Sequence, residues 1–176
     1  QIILGSNSPR RQELLKSLGF TFLNKPINAD ETFPVDLQAE EICLYLAEKK
    51  ADAYEDDLKD EEILITADTI VLIDDEILGK PVDREDAIRI LQKLSGNTHE
   101  VLSGVCFLNN KISKCVTDVT KVTFKNIELE EIEYYVDQFK PYDKAGAYAI
   151  QEWIGVRFIG KIDGCYYNVM GLPMAK

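Results

Sequence analysis

Three features of this sequence place reactive side chains where packing alone gives no reason for them. The first is Arg10-Arg11, directly after Ser8-Pro9. Ser8 suits a helix N-cap and Pro9 the first helical position. Arginines in a first turn oppose the helix dipole, which favours acids there. An external anion removes the conflict, because free backbone N–H groups and guanidinium forks would converge on a phosphate. Without an anion, the pair is two solvated arginines on a turn. The second feature is Asp68, the only charged residue between Ile63 and Ile73. A carboxylate inside an apolar strand is costly unless a cation or several donors compensate it. It can hold a divalent metal or act as a general base toward water. Alternatively, the strand stops near Ala67 and Asp68 caps a turn.

The third feature is Tyr142-Asp143-Lys144-Ala145-Gly146-Ala147-Tyr148-Ala149-Ile150-Gln151. Small residues around Gly146 allow close backbone approach. Asp143 and Lys144 offer both signs of charge, and Tyr148 can pack inside or face a base. Gln151 has a donor and an acceptor end, which suits the edge of a nucleobase. Lys80, between Gly79 and Pro81, is a phosphate ligand or a solvated turn lysine; the surrounding residues do not make a Walker A loop. Glu31 lies on a loop between Pro26 and Pro34. Lys50, four residues after Leu46, either reaches into a cleft or snorkels along the core edge, and snorkelling is the simpler expectation. His99 is the single histidine and reads as structural. Cys43, Cys106, Cys115 and Cys165 show no CxxC spacing, which argues against zinc and for reduced, mostly buried thiols.

The elements that position these residues alternate in type. Ile2-Ile3-Leu4 reads as a buried strand, followed by a turn at Gly5-Ser6-Asn7 and a helix carrying Leu14, Leu15 and Leu18 up to Gly19. A second helix is expected from about Leu37 to Ala53, and a central strand over Ile63–Ile73. Asp83 caps a helix with Ala87, Ile88, Leu91 and Leu94, ended by Ser95-Gly96. Strands follow from Val101 to Phe124 around a tip at Asn109-Asn110. A short helix over Leu129–Gln138 comes next, then strands at Ile154–Ile162 and Tyr166–Met170. The expected class is α/β with a mixed sheet, as one domain of two small lobes spanning residues 1–176.

Composition excludes several roles. The 176 residues are 45% hydrophobic and 29% charged, ordinary for a soluble globular chain, and the net charge is −11. An acidic surface disfavours nucleic acid polymers and anionic membranes. No apolar run approaches the roughly 20 residues needed to span a bilayer, and no signal peptide is recognisable, so a cytoplasmic location is expected.

Taken together the motifs resemble the Maf family of nucleotide pyrophosphatases, distant fold relatives of the inosine triphosphate pyrophosphatases. The resemblance rests on Ser6 through Arg11 with Glu13-Leu14-Leu15, Ala67-Asp68-Thr69, Ile77 through Pro81, Leu94-Ser95-Gly96, Asp143 through Tyr148, Ile150-Gln151 and Asn168 through Pro173. These blocks keep the family's order across nearly the whole chain. The resemblance implies two lobes around a deep cleft, often in a homodimer. It implies hydrolysis of a nucleoside triphosphate to monophosphate and pyrophosphate with a divalent cation, Mg2+ or Mn2+. By motif position, Asp68 resembles the proton acceptor and, with Glu31, a metal ligand. Arg10, Thr69 and Gln151 resemble the substrate-selecting positions, while Arg11, Glu31, Lys50 and Lys80 match polar cleft residues that bind substrate. The 7-methyl-GTP branch carries Trp, Gln and Glu where this chain has Arg10, Thr69 and Gln151, so the dTTP/UTP branch is expected, modified pyrimidine triphosphates included. A 7-methyl-GTP pyrophosphatase and a non-enzymatic regulator of septum formation are the competing expectations. Glu152-Trp153 and Ser103 depart from the family pattern, and relatives usually continue into a helix beyond Pro173.

Overall fold

The structure, a computed structural model, describes residues 1–176. In chain order, β1 (Ile2–Leu4) leads into α1 (Pro9–Ser17), β2 (Phe22–Asn24), α2 (Ala39–Asp52) and β3 (Ile63–Ile73). Next come β4 (Glu76–Leu78), α3 (Arg84–Leu94), β5 (Thr98–Asn109) and β6 (Ile112–Phe124). The chain ends with α4 (Leu129–Phe139), α5 (Trp153–Phe158), β7 (Ile159–Asp163) and α6 (Tyr166–Met170). The sheet has seven strands in the order β2-β1-β3-β5-β6-β7, with β4 paired to β3. β1 runs parallel to β2 and β3, whereas β3–β4 and β6–β7 are antiparallel. The α/β class and the mixed sheet are therefore as expected.

Two compact units divide the chain. One consists of Gln1–Thr69, Ser103–Asp118 and Gly171–Lys176; the other of Ile70–Leu102 and Val119–Met170. In the first, α2 buries Ile42, Cys43, Leu46, Ala47 and Ala51, the stripe its periodicity predicts. Gly104 of β5 lets this helix approach closely, since a Cβ there would collide with the Cys43 carbonyl group. In the second, α3 packs on α4, burying Ala87, Ile90, Leu91 and Leu94 on one side and Ile132, Tyr135 and Val136 on the other. Each fully buried aliphatic side chain contributes about 1.5–3 kcal/mol. No helix is long and apolar enough to cross a membrane.

Several local expectations need correction. α1 ends at Ser17, leaving Leu18 56% exposed rather than on the buried face. Trp153–Phe158 is helical where a strand is expected. Ile154 and Phe158, one turn apart, are both buried, and Gly155 fits against the Ile150 carbonyl where any Cβ would clash. Tyr166–Met170 is also a helix, not a strand; its Asn168 side chain is buried and donates to the Val101 carbonyl and to Thr120 Oγ1, each at 3.0 Å. The hairpin tip lies one residue later than expected, at Asn110-Lys111. Cys106 and Cys115 then face each other with Cα atoms 4.1 Å apart and form a disulfide. The expectation of four reduced thiols holds only for Cys43 and Cys165.

Candidate active site

β1 delivers the chain into the loop Gly5–Ser8, and α1 starts there. Ser8 caps the helix as its sequence predicts, accepting from the Arg11 amide, and the first turn contains no acid. Arg10 is half-buried and makes no ion pair or hydrogen bond through its side chain. Arg11 turns inward. Its Nε donates to the Gly171 carbonyl at 2.9 Å, Nη1 to Ser6 Oγ at 3.1 Å and Nη2 to Thr69 Oγ1 at 3.0 Å. All three acceptors are neutral, so no carboxylate touches the guanidinium of this half-buried arginine. Burial lowers its pKa below the ordinary value; the fields of Asp68 and Glu31 oppose that shift and Arg10 adds to it. A guanidinium carries five N–H donors, and only three are used here, which leaves a fixed cation with donors to spare.

β3 runs through Asp68 without a break, so Asp68 lies inside the strand rather than at its end. One oxygen accepts from the Thr69 amide at 2.8 Å, and the other pairs with Lys50 Nζ. The side chains of Asp68 and Lys50 are only 14% and 12% exposed. Lys50 Nζ also lies 3.5 Å from Glu31 Oε1, so a single ammonium bridges two carboxylates. Its neighbour Lys49 holds the Glu31 loop in place through Asp30 at 3.2 Å and the Thr32 carbonyl at 3.1 Å. Consecutive lysines on α2 thus fix both the loop and the strand carboxylate. Snorkelling is not what Lys50 does. Asp68 and Glu31 thus each turn a carboxylate oxygen toward Lys50 Nζ. Thr69 Oγ1 in turn lies 2.8 Å from Ser103 Oγ.

Six of the eight expected site residues therefore belong to the first unit: Arg10, Arg11, Glu31, Lys50, Asp68 and Thr69. Lys50, Glu31 and Asp68 form one cluster and Arg11 with Thr69 another. Ser6, Ser103 and Gly171, which hold Arg11 and Thr69, were not among the expected residues. Only the small-residue turn around Gly171 offered a signal: a Cβ there, at φ +111°, would stand 3.2 Å from Arg11 Nε.

Lys80 and Gln151 belong to the second unit. Lys80 is exposed, on a turn whose Gly79 carbonyl accepts from the Gly146 amide at 3.1 Å, which joins two of the motif segments. Gly146 has φ +70° and packs against Val71, so a side chain there is strained. The exposed Gln151 amide makes no hydrogen bond. The departure after it has a structural role. Glu152 accepts from the Tyr135 hydroxyl and lies 3.5 Å from the buried Lys144 ammonium, which also pairs with Asp143. Trp153 packs with Tyr134, Tyr135 and Phe158. Tyr148 is buried and bonds His99 Nε2 at 2.7 Å, so it packs in the core instead of facing a base. His99 is buried, which suits the structural role expected of it, and burial pulls its pKa down to about 4.

A Flavobacterium johnsoniae protein named dTTP/UTP pyrophosphatase is 50% identical over 176 residues, covering 100% of this chain and 91% of its own length. A Bacteroides fragilis protein of the same name is 50% identical over 177 residues, covering 100% and 92%. A Porphyromonas gingivalis protein, also so named, is 49% identical over 177 residues, covering 99% and 89%. Among solved structures, the Staphylococcus aureus Ham1 protein overlaps 70% of this chain and 71% of its own at TM-score 0.48 and 14% identity, too distant to bear on function. The model of the family described as Maf, Maf-like protein, matches residues 1–176, and with it the sequence motifs, the relatives and the full-length coverage meet in one conclusion: the chain belongs to the Maf family.

Proposed function

We propose that this protein hydrolyses dTTP and UTP to the nucleoside monophosphate and pyrophosphate. The observation that carries the proposal is the pairing of Asp68, a carboxylate held inside a strand by Lys50, with Arg11, a half-buried arginine whose guanidinium is held only by neutral groups. The first can take a proton from water, and the second needs an anion. Relatives at about half identity along the whole chain carry the dTTP/UTP pyrophosphatase name. In the proposed reaction, water oxygen bonds to the α-phosphorus while the bond to the bridging α,β oxygen breaks and pyrophosphate leaves. Asp68 accepts the water proton. Arg10, Arg11, Lys50 and Lys80 balance phosphate charge, so that catalysis rests on positioning and electrostatics. Thr69 and Gln151 select the base, with Arg10.

The donor set of Asp68 and Glu31 fits Mg2+ or Mn2+. Such an ion would supply Lewis-acid neutralisation of the phosphates. A homodimer in the cytoplasm belongs to the same proposal, and light scattering of the purified protein checks the dimer.

The test is a panel of nucleoside triphosphates with Mg2+ and with Mn2+, reading monophosphate and pyrophosphate together. Pyrophosphate should appear in equal amount to dTMP or UMP. Asp68→Asn, which keeps the shape and removes the base, should lower kcat at least about a hundredfold. Release of inorganic phosphate alone, or near-normal turnover by Asp68→Asn, sinks the proposal.

A further inference from the structure

The disulfide lies outside the chemistry described so far. Cys106 on β5 and Cys115 on β6 face each other in the first unit, beside the apolar cluster of Ile3, Ala47, Leu64 and Leu108. Cys106 is buried and Cys115 half-buried. Glu48, on the exposed side of α2, brings its carboxylate to the same place; one oxygen and the two sulfurs all lie within 4.8 Å of one another. Glu48 makes no hydrogen bond or ion pair, so nothing else engages it.

We infer that Glu48, Cys106 and Cys115 form a binding site for a thiophilic divalent cation, Zn2+ above all, open when the cysteines are reduced and closed when they are joined. The donor chemistry selects the ion: two thiolates and one carboxylate suit zinc, whereas magnesium prefers oxygen alone. The spacing fits as well. With Zn–S of about 2.3 Å and Zn–O of about 2.1 Å, tetrahedral ligand atoms stand roughly 3.6–3.8 Å apart. Cross-strand cysteines and a helix carboxylate already within 4.8 Å reach that spacing by side-chain rotation. Water completes the fourth position. The rigid hairpin pre-positions both sulfurs, and the apolar surroundings penalise free thiolates but tolerate a neutralised zinc pair.

Closure needs an oxidant, and a small-molecule disulfide RSSR suffices. The more exposed Cys115 thiolate attacks one sulfur of RSSR and expels RS−. The Cys106 thiolate then attacks Cys115 Sγ and expels the second RS−. Two cysteines are oxidised, RSSR is reduced to two thiols, and the cation is released because both sulfur ligands are gone.

The experiment uses the full chain, reduced under argon and titrated with Co2+ and then Zn2+. Thiolate-to-cobalt charge-transfer absorption reports sulfur ligation and stays silent for any oxygen-only metal site around Asp68. The expected result is one equivalent of Co2+ bound with that absorption and displaced by Zn2+. Oxidised glutathione should release the zinc with loss of two titratable thiols. Cys115→Ser should abolish the charge-transfer band, with far-UV circular dichroism checking the fold. Glu48→Gln, a surface change that leaves the core intact, should weaken zinc at least about tenfold. A reduced chain without the band overturns the inference. So does zinc that stays bound after disulfide formation, or unchanged affinity in Glu48→Gln.

Discussion

Replacing Gly104 with Ala would separate the position of α2 from the identity of the residues it carries. An ideal Cβ at residue 104 stands 2.5 Å from the Cys43 carbonyl carbon and 2.7 Å from the Leu44 amide nitrogen. Carbon contacts are comfortable from about 3.5 Å, so α2 must withdraw by roughly 1 Å. Overpacking of this kind costs about 1–3 kcal/mol. For a chain of this size that corresponds to a fall in Tm of roughly 2–12 °C. Lys50 sits about two turns along the same helix and moves with it, loosening its contacts to Asp68 and Glu31. Misplacing a positioning group by about 1 Å costs up to about a hundredfold in rate. Gly104→Ala should therefore remain folded at 25 °C yet lose ten- to a hundredfold in kcat on dTTP, with Gly160→Ala, whose added Cβ meets only ordinary contacts from 3.4 Å outward, near wild type. Calorimetry and pyrophosphate release under one Mg2+ condition measure both quantities. A destabilised Gly104→Ala with undiminished kcat would show that the placement of α2 does not govern the Lys50–Asp68 pair.

Gln151→Glu should lower kcat/KM for dTTP and UTP about tenfold more than for GTP, because a glutamate cannot donate to the pyrimidine O4 and an acceptor left unmatched once a bound base covers it costs about 1–3 kcal/mol. Adding Thr69→Gln and Arg10→Trp should move the preference further toward 7-methyl-GTP, and an unmoved pyrimidine-to-guanine ratio removes Gln151 from base selection. Pyrophosphate with Mg2+ should raise Tm by mass action, and the shift should shrink when Arg10 and Arg11 are both changed to Gln; an undiminished shift locates the phosphates elsewhere. His99, held neutral by burial with a pKa near 4 against an unfolded value of 6.5, contributes stability that is complete above pH 6.5 and lost as pH falls toward 4. Urea titrations of wild type and His99→Gln should show the wild-type advantage falling by about 2 kcal/mol between pH 7 and pH 5, and parallel pH profiles would contradict the burial of this imidazole.

Local signals were legible in the sequence where they obey local rules. Ser8 and Asp83 cap helices through backbone amides three residues on, and both caps form. The α2 stripe follows helical spacing and packs as written. Asp68 was ambiguous because an apolar run cannot mark where a strand stops, and only the uninterrupted pairing of β3 decides it. Arg11 could be suspected of binding an anion, but its holder Gly171 lies 160 residues away, beyond any periodicity. The disulfide was hidden by a single residue of register. A tip at Asn109-Asn110 sets Cys106 opposite Ser113, whereas the actual tip at Asn110-Lys111 sets it opposite Cys115. Tyr166–Met170 contains tyrosines and valine that favour strands, and the burial of Asn168 and Met170 overrides that preference.

The Arg11–Gly171 hydrogen bond constrains how the chain matures on the ribosome. The first unit draws on Gln1–Thr69, Ser103–Asp118 and Gly171–Lys176, and the last of these segments is made after the other two. Translation adds about 5–20 residues per second, so Arg11 waits many seconds for its final acceptor. During that interval the β1–α1 segment exists without the turn that locks its guanidinium. Assembly of the Arg11 corner then waits until the Gly171 turn has left the ribosome, and it depends on a contact of high sequence separation, the kind that slows folding. A nascent chain stalled before Gly171 would carry Arg11, Ser6 and Thr69 and still lack one of the three acceptors that fix the guanidinium.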